Sequence, residues 1–135
     1  MEIFDAGSNG NIDIAFASLV QKRMDAVLVG PDPLFNDRRV QIVSLAARHA
    51  VPTIYPSPPR VFAEAGGLIS YGSNIADNNR QIGIYVGRIL KGAKPADLPV
   101  MRPAKFQFII NLQTAKLLNI SIPPSLLAIA DEVIE

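Results

Sequence analysis

Apolar residues recur at helical spacing over residues 11–24, where Ile12, Phe16, Leu19 and Val20 share one face and polar residues fill the other. After Asp25 the rhythm changes. Ala26, Val27, Leu28 and Val29 form an unbroken apolar run closed by Gly30 and Pro31, which predicts a strand buried on both faces. Asn36 or Asp37 can cap a second helix whose stripe is Val40, Val43, Ala47 and Ala50. Residues 51–55 predict the next strand, entered through Pro52 and stopped by Pro56, Pro58 and Pro59. Residues 60–65 predict a single helical turn, and residues 68–71 another short strand. The strongest helix spans residues 75–91, with Ile82, Tyr85, Val86, Ile89 and Leu90 along one side and Gly92 at its C-cap.

Residues 92–103 contain three prolines and predict an extended linker. Beyond it, Phe106, Phe108 and Ile110 share one face of a strand, residues 112–118 predict a short helix, and Pro123-Pro124 opens the last helical stretch. The order reads α-β-α-β-(α)-β-α-β-α-β-α. That alternation argues for an α/β layered fold, a mainly parallel sheet with flanking helices. The linker separates two parts of different rhythm, as if the chain crossed between two lobes.

Composition removes much chemistry. The 135 residues contain no cysteine and one histidine, which excludes disulfides, thiol nucleophiles, cysteine zinc sites and multi-histidine metal sites. Thirteen basic and twelve acidic residues leave a net charge of +1, so no electrostatic footprint for nucleic acid exists. No apolar run approaches the roughly 20 residues that span a bilayer. The first six residues carry two carboxylates and no basic stretch, unlike a secretion signal. No GxSxG elbow or GxGxxG loop is present, and Gly66-Gly67 does not open a helix. No cofactor, metal or catalytic group is expected.

Two loops follow predicted strands, where ligands enter open α/β sheets. In the first, residues 30–36, Asp32 can accept hydrogen bonds from an amine or hydroxyl and Phe35 can stack on a ligand. The plainer alternative is a stiff Pro-Asp-Pro turn with Phe35 capping the core. In the second, Tyr71 beside Gly72 offers a pocket aromatic or an ordinary sheet-edge tyrosine. Asp77 sits near the start of the long helix, where capping alone explains an acidic residue. His49 lies near the end of its helix and reads as a structural or surface residue. The cluster of Arg88, Lys91 and Lys94 reads as a solvated helix end.

Three stretches carry a specific resemblance: DAVLVGPDPLFNDRRVQIVSLAARHAVPTIYP, AGGLISYGSNIADNNRQIGIYVGRILKGAKPADLPV and FQFIINLQTAKLLNISIPPSLLAIADEVIE. They resemble the substrate-binding proteins of ABC importers, in the subfamily of tryptophan-binding-protein-like members. The strings GRILKG-x-KPADLPV and IN-x-x-TAK-x-L-x-I-x-IP-x-S-L-L are its most specific marks, and the likeness covers practically the whole chain. The resemblance implies a type I periplasmic binding protein fold, two Rossmann-like lobes closing on a ligand, of which this chain matches the C-terminal part. Residues 1–66 would then be the later part of the second lobe, and residues 67–135 the hinge crossovers and segments returning to the first. It further implies capture of a small solute such as an amino acid, with Asp32, Phe35, Tyr71 and Asp77 as ligand contacts. The partners would be ABC permease subunits, the location periplasmic, and the protein no enzyme. The alternative is a non-binding remnant that self-associates as a homodimer through orphaned apolar surfaces.

Overall fold

The structure, a computed structural model, describes residues 1–56 and 58–135. Helix α1 (Asn9–Gln21) is started by Ser8, whose hydroxyl accepts from the Asn11 amide, and it buries Ile12, Phe16 and Leu19. Strand β1 (Val27–Leu28) leads into a short helix α2 (Pro33–Asp37) and then α3 (Arg39–Arg48). Strand β2 (Thr53–Tyr55), helix α4 (Pro59–Glu64) and strand β3 (Ile69–Ser73) follow. Helix α5 (Ile75–Leu90) is capped by the Asn74 side chain, which accepts from the Asp77 amide. After a 3-10 turn at Pro95–Asp97 come β4 (Phe106–Asn111), α6 (Leu112–Leu117), α7 (Pro124–Leu127) and β5 (Glu132–Ile134).

The strands form one sheet in the order β1-β2-β3-β4-β5. Every neighbouring pair is parallel except β3 and β4, which run antiparallel with Tyr71 opposite Phe108 and Ser73 opposite Phe106. The start of β4 therefore lies at the same end of the sheet as the ends of β1, β2 and β3. Alternation along the strands separates two faces. One carries Thr53, Tyr55, Ser70 and Ile109, all buried. Helices α1, α3 and α4 supply the core on that side, with Ile12, Phe16, Leu19, Ile42, Leu45 and Phe62. Tyr55 and Phe62 stack at 4.9 Å.

Several expectations change. The 26–29 run is not buried on both faces: β1 is a two-residue edge strand, and Leu28 is 75% exposed. A continuous apolar strand needs cover above and below, whereas on the face that bears Leu28, Ile54 and Tyr71 these three side chains are exposed, and cover is complete only at Ile110 on β4. The stripe of α3 is rotated from the predicted one. Ile42, Val43, Leu45 and Ala46 are buried in the core cluster with residues of α1 and α4 while Val40 is exposed; Asp32 caps a separate α2, and Arg38, not Asn36 or Asp37, precedes α3. Gly92 lies one residue beyond the C-cap Lys91, at φ +99°, the left-handed position a helix end favours. The linker contains the 3-10 turn, and the chain ends in a strand rather than in the last helix.

Candidate functional site

The site region is the end of the sheet where β1, β2 and β3 finish and β4 begins. At β1, Asp32 occupies the N-cap of α2 and its Oδ1 accepts from the Leu34 amide at 2.8 Å. Proline at the first helical position suits that turn, since its missing N–H would find no helical partner. Asp32 is exposed. Phe35 is half-buried and packs against the core cluster of α1 and α3. It also lines an apolar cavity of about 620 Å³ bounded by Met1, Phe4, Phe16, Val29 and Ile54. Nearby, Asn36 Oδ1 is buried with no hydrogen-bond partner among the described residues.

At β3, Tyr71 is 54% exposed and its ring lies nearly parallel to Phe106, with centroids 5.7 Å apart and planes at 8°. Phe108 meets the same ring edge-on at 6.2 Å. Asp77 stands in the first turn of α5, where the positive end of the helix dipole favours a carboxylate. It is not the cap, which Asn74 supplies. Its Oδ1 instead faces Lys105 Nζ at 3.6 Å, with the aspartate side chain 13% exposed and the lysine 69%. Asn78 donates to Ser73 Oγ at 3.1 Å, and the Asn74 amide donates to the Lys105 carbonyl. These bonds tie the start of α5 to the β3–β4 edge.

The four predicted residues thus fall into two pairs at one end of the sheet. Tyr71 and Asp77 flank the β3–α5 junction, while Asp32 and Phe35 follow β1, a strand two spacings, roughly 10 Å, from β3. Nothing in the local sequence marks Lys105 or Phe106 as site residues. Phe106 was visible only as one side of a strand, and nothing local says that β4 pairs with β3 antiparallel and sets Phe106 on Tyr71. Arg60, at the start of α4, bridges Glu64 and Glu132, both at 2.8 Å. The hydrogen bond to Glu64, then the charges of Glu132 and Glu64, push its ionisation upward. Among the described residues no cluster of three or more histidines or carboxylates could hold a metal ion. No helix among them is long and apolar enough to cross a membrane.

A family model for ABC transporter substrate binding proteins matches residues 3–134. A domain solved in complex with L-Trp from Streptococcus pneumoniae superposes with a TM-score of 0.87 at 31% identity, covering 98% of this chain and 45% of its own. A conserved domain protein from Vibrio cholerae gives a TM-score of 0.82 at 23% identity, covering 92% of this chain and 41% of its own. A ligand-free, open substrate-binding protein with adhesive properties from Clostridium difficile gives 0.64 at 23%, covering 94% of this chain and 41% of its own. These last two bear on the fold alone. No curated protein matches the chain. With a sheet of this topology and a family match over nearly its full length, the chain belongs to the ABC transporter substrate-binding protein family. It spans less than half the length of these solved relatives.

Proposed function

We propose that this chain is part of the solute-binding component of an ABC importer and captures a small solute, such as an amino acid, without catalysis. In this reading residues 1–66 belong to the later part of the second lobe. Residues 67–135 are hinge crossovers and segments returning to the first, and the solute closes between the lobes. The observation that carries the reading is the polar and aromatic edge at the strand ends, in a chain 31% identical to a domain that holds L-Trp. Tyr71 and Asp77 face the solute from the β3 end, Asp32 and Phe35 from the β1 end. Binding then needs only pre-placed polar groups beside apolar surface, and hinge closure signals to the permease. The same reading places the protein in the periplasm.

A thermal-shift screen of the 135-residue chain against amino acids and small organic acids tests the proposal. A ligand that binds only the folded form raises the melting temperature in a concentration-dependent way. No shift with any solute at millimolar concentration would overturn it. A second reading, a self-associating remnant, draws on one observation. Helix α5 buries none of its residues and leaves Ile82, Val86, Ile89 and Leu90 exposed.

A further inference from the structure

We propose that the apolar channel beside β1 is an acceptor for one further strand, an extended and continuously apolar peptide segment contributed from outside these 135 residues. The proposal does not depend on the solute-binding reading and concerns the edge of the sheet opposite β5. Strand β1 is paired on one side only, with β2. The amides of Val27 and Val29 donate to the Pro52 and Ile54 carbonyls. In a parallel ladder alternate residues of a strand bond to the same neighbour, so the N–H and C=O of Leu28 point away from β2, out of the sheet edge. Leu28 and its neighbours on both sides also line the cavity of about 620 Å³, whose other walls include Phe4 and Phe16. Residues 1–6 run along that cavity and form no strand of their own.

The lining comes from both faces of the sheet. Phe16 and Leu19 belong to the core side under α1, whereas Leu28 and Ile54 stand on the other face, 75% and 40% exposed. That places the cavity in the plane of the sheet, alongside β1, where a next strand lies roughly 4.8 Å away. A strand there has apolar side chains against both its faces, so it is an unbroken Val/Ile-type run rather than an alternating one. Among the described residues Glu2 is the one charged member of the lining, and it is ion-paired with Lys22, which leaves a charged segment no partner. A small apolar molecule of the same volume would cover the Leu28 amide and carbonyl without bonding them, which is destabilising for any backbone group. A strand bonds both. The solved relatives are more than twice as long as this chain, so polypeptide able to supply such a segment exists in the family outside the stretch matched here.

The probe is a fluorescein-labelled peptide of alternating valine and isoleucine, with lysine ends for solubility, added to the 135-residue chain. We expect saturable binding by anisotropy. Exchange of the Leu28 amide should slow by about a hundredfold when free peptide stands at about 100 times its Kd. Protection should be confined to β1 and spare the outer edge of β5. The same peptide N-methylated throughout keeps its apolar surface, loses its donors, and should not bind. Leu28→Pro removes the outward N–H without costing β1 a bond to β2, and should abolish binding. Leu28→Asn, at a position 75% exposed, keeps the backbone edge and should weaken binding by roughly tenfold through lost apolar cover. Thermal unfolding checks that both variants fold, and the asparagine variant carries the test if the proline one does not. No saturable binding, equal binding of the N-methylated peptide, or protection at β5 instead of β1 would overturn the proposal. So would protection of Leu28 by dimerisation of the chain alone, which would make a second copy the occupant.

Discussion

A single added carbon has opposite consequences at two glycines. A Cβ on Gly67 would lie 2.8 Å from the Phe62 carbonyl oxygen and 2.8 Å from the Tyr55 ring, inside the stacked pair that anchors α4 on the sheet. Gly67→Ala is expected to destabilise the fold by about 1–3 kcal/mol, as overpacking does, read from urea unfolding. At Gly87 nothing lies within 4 Å, and alanine is the better helix former by about 1 kcal/mol. Gly87→Ala should therefore slow amide exchange across α5. Tyr55 adds a pH dependence. It is 1% exposed, and burial, opposed by a hydrogen bond involving Thr53, pushes its phenol up to about 12. Stability from the neutral phenol is complete below pH 10, where the unfolded tyrosine begins to ionise, and is lost as pH rises through about 12. Two units correspond to about 3 kcal/mol. Tyr55→Phe should flatten that alkaline loss in denaturant titrations between pH 10 and 12.

Among the elements, α5 stands apart. It is 16 residues long and buries no side chain. An isolated helix of that length is marginal in water, and this one includes two glycines in its interior, Gly83 and Gly87. Its ties to the rest lie near its ends and along one side: the Asn74 cap, Asn78 on Ser73, Asp77 on Lys105, and Tyr85 donating to the Pro99 carbonyl. Hydrogen exchange should find residues 79–90 opening far more readily than β4 or α3, since local stability follows buried contact. Protection of α5 equal to that of β4 in dilute solution would show that it has found cover. Asn74→Ala should loosen its first turn further by about 1 kcal/mol.

At the level of the whole molecule, the open sheet face and the bare side of α5 are two apolar surfaces without cover among the described residues. Patches of that kind are rare on monomers. On the remnant reading the chain is expected to sediment above its 14.6 kDa mass. The double change Val86→Asp and Leu90→Asp should then return it to a monomer, both residues being exposed on α5. A monomer at high concentration in the unaltered chain would remove that reading. The solved relatives are more than twice as long, and the lobe that the solute-binding reading requires is the other natural cover.

Local patterns were enough for most of the elements. The spacing of Ile12, Phe16 and Leu19, the Pro-rich stop after Tyr55, and the amphipathic run into Gly92 each encode a helix or strand through contacts a few residues apart. The alternating order gave the α/β class, and long specific strings gave the family. Burial and partnership were a different matter, because they depend on what lies across the sheet. A four-residue apolar run looks the same whether one face or both are covered, so the exposure of Leu28 was invisible. Asp77 read as a cap from its position alone, yet the cap fell to Asn74 and the carboxylate to Lys105, 28 residues on. The stack of Tyr71 on Phe106 exists only because β3 and β4 run antiparallel in one register. Periodicity is a property of neighbours along the chain and shows in the sequence. Which side chains meet across strands is set by topology, and only the tertiary structure decides it.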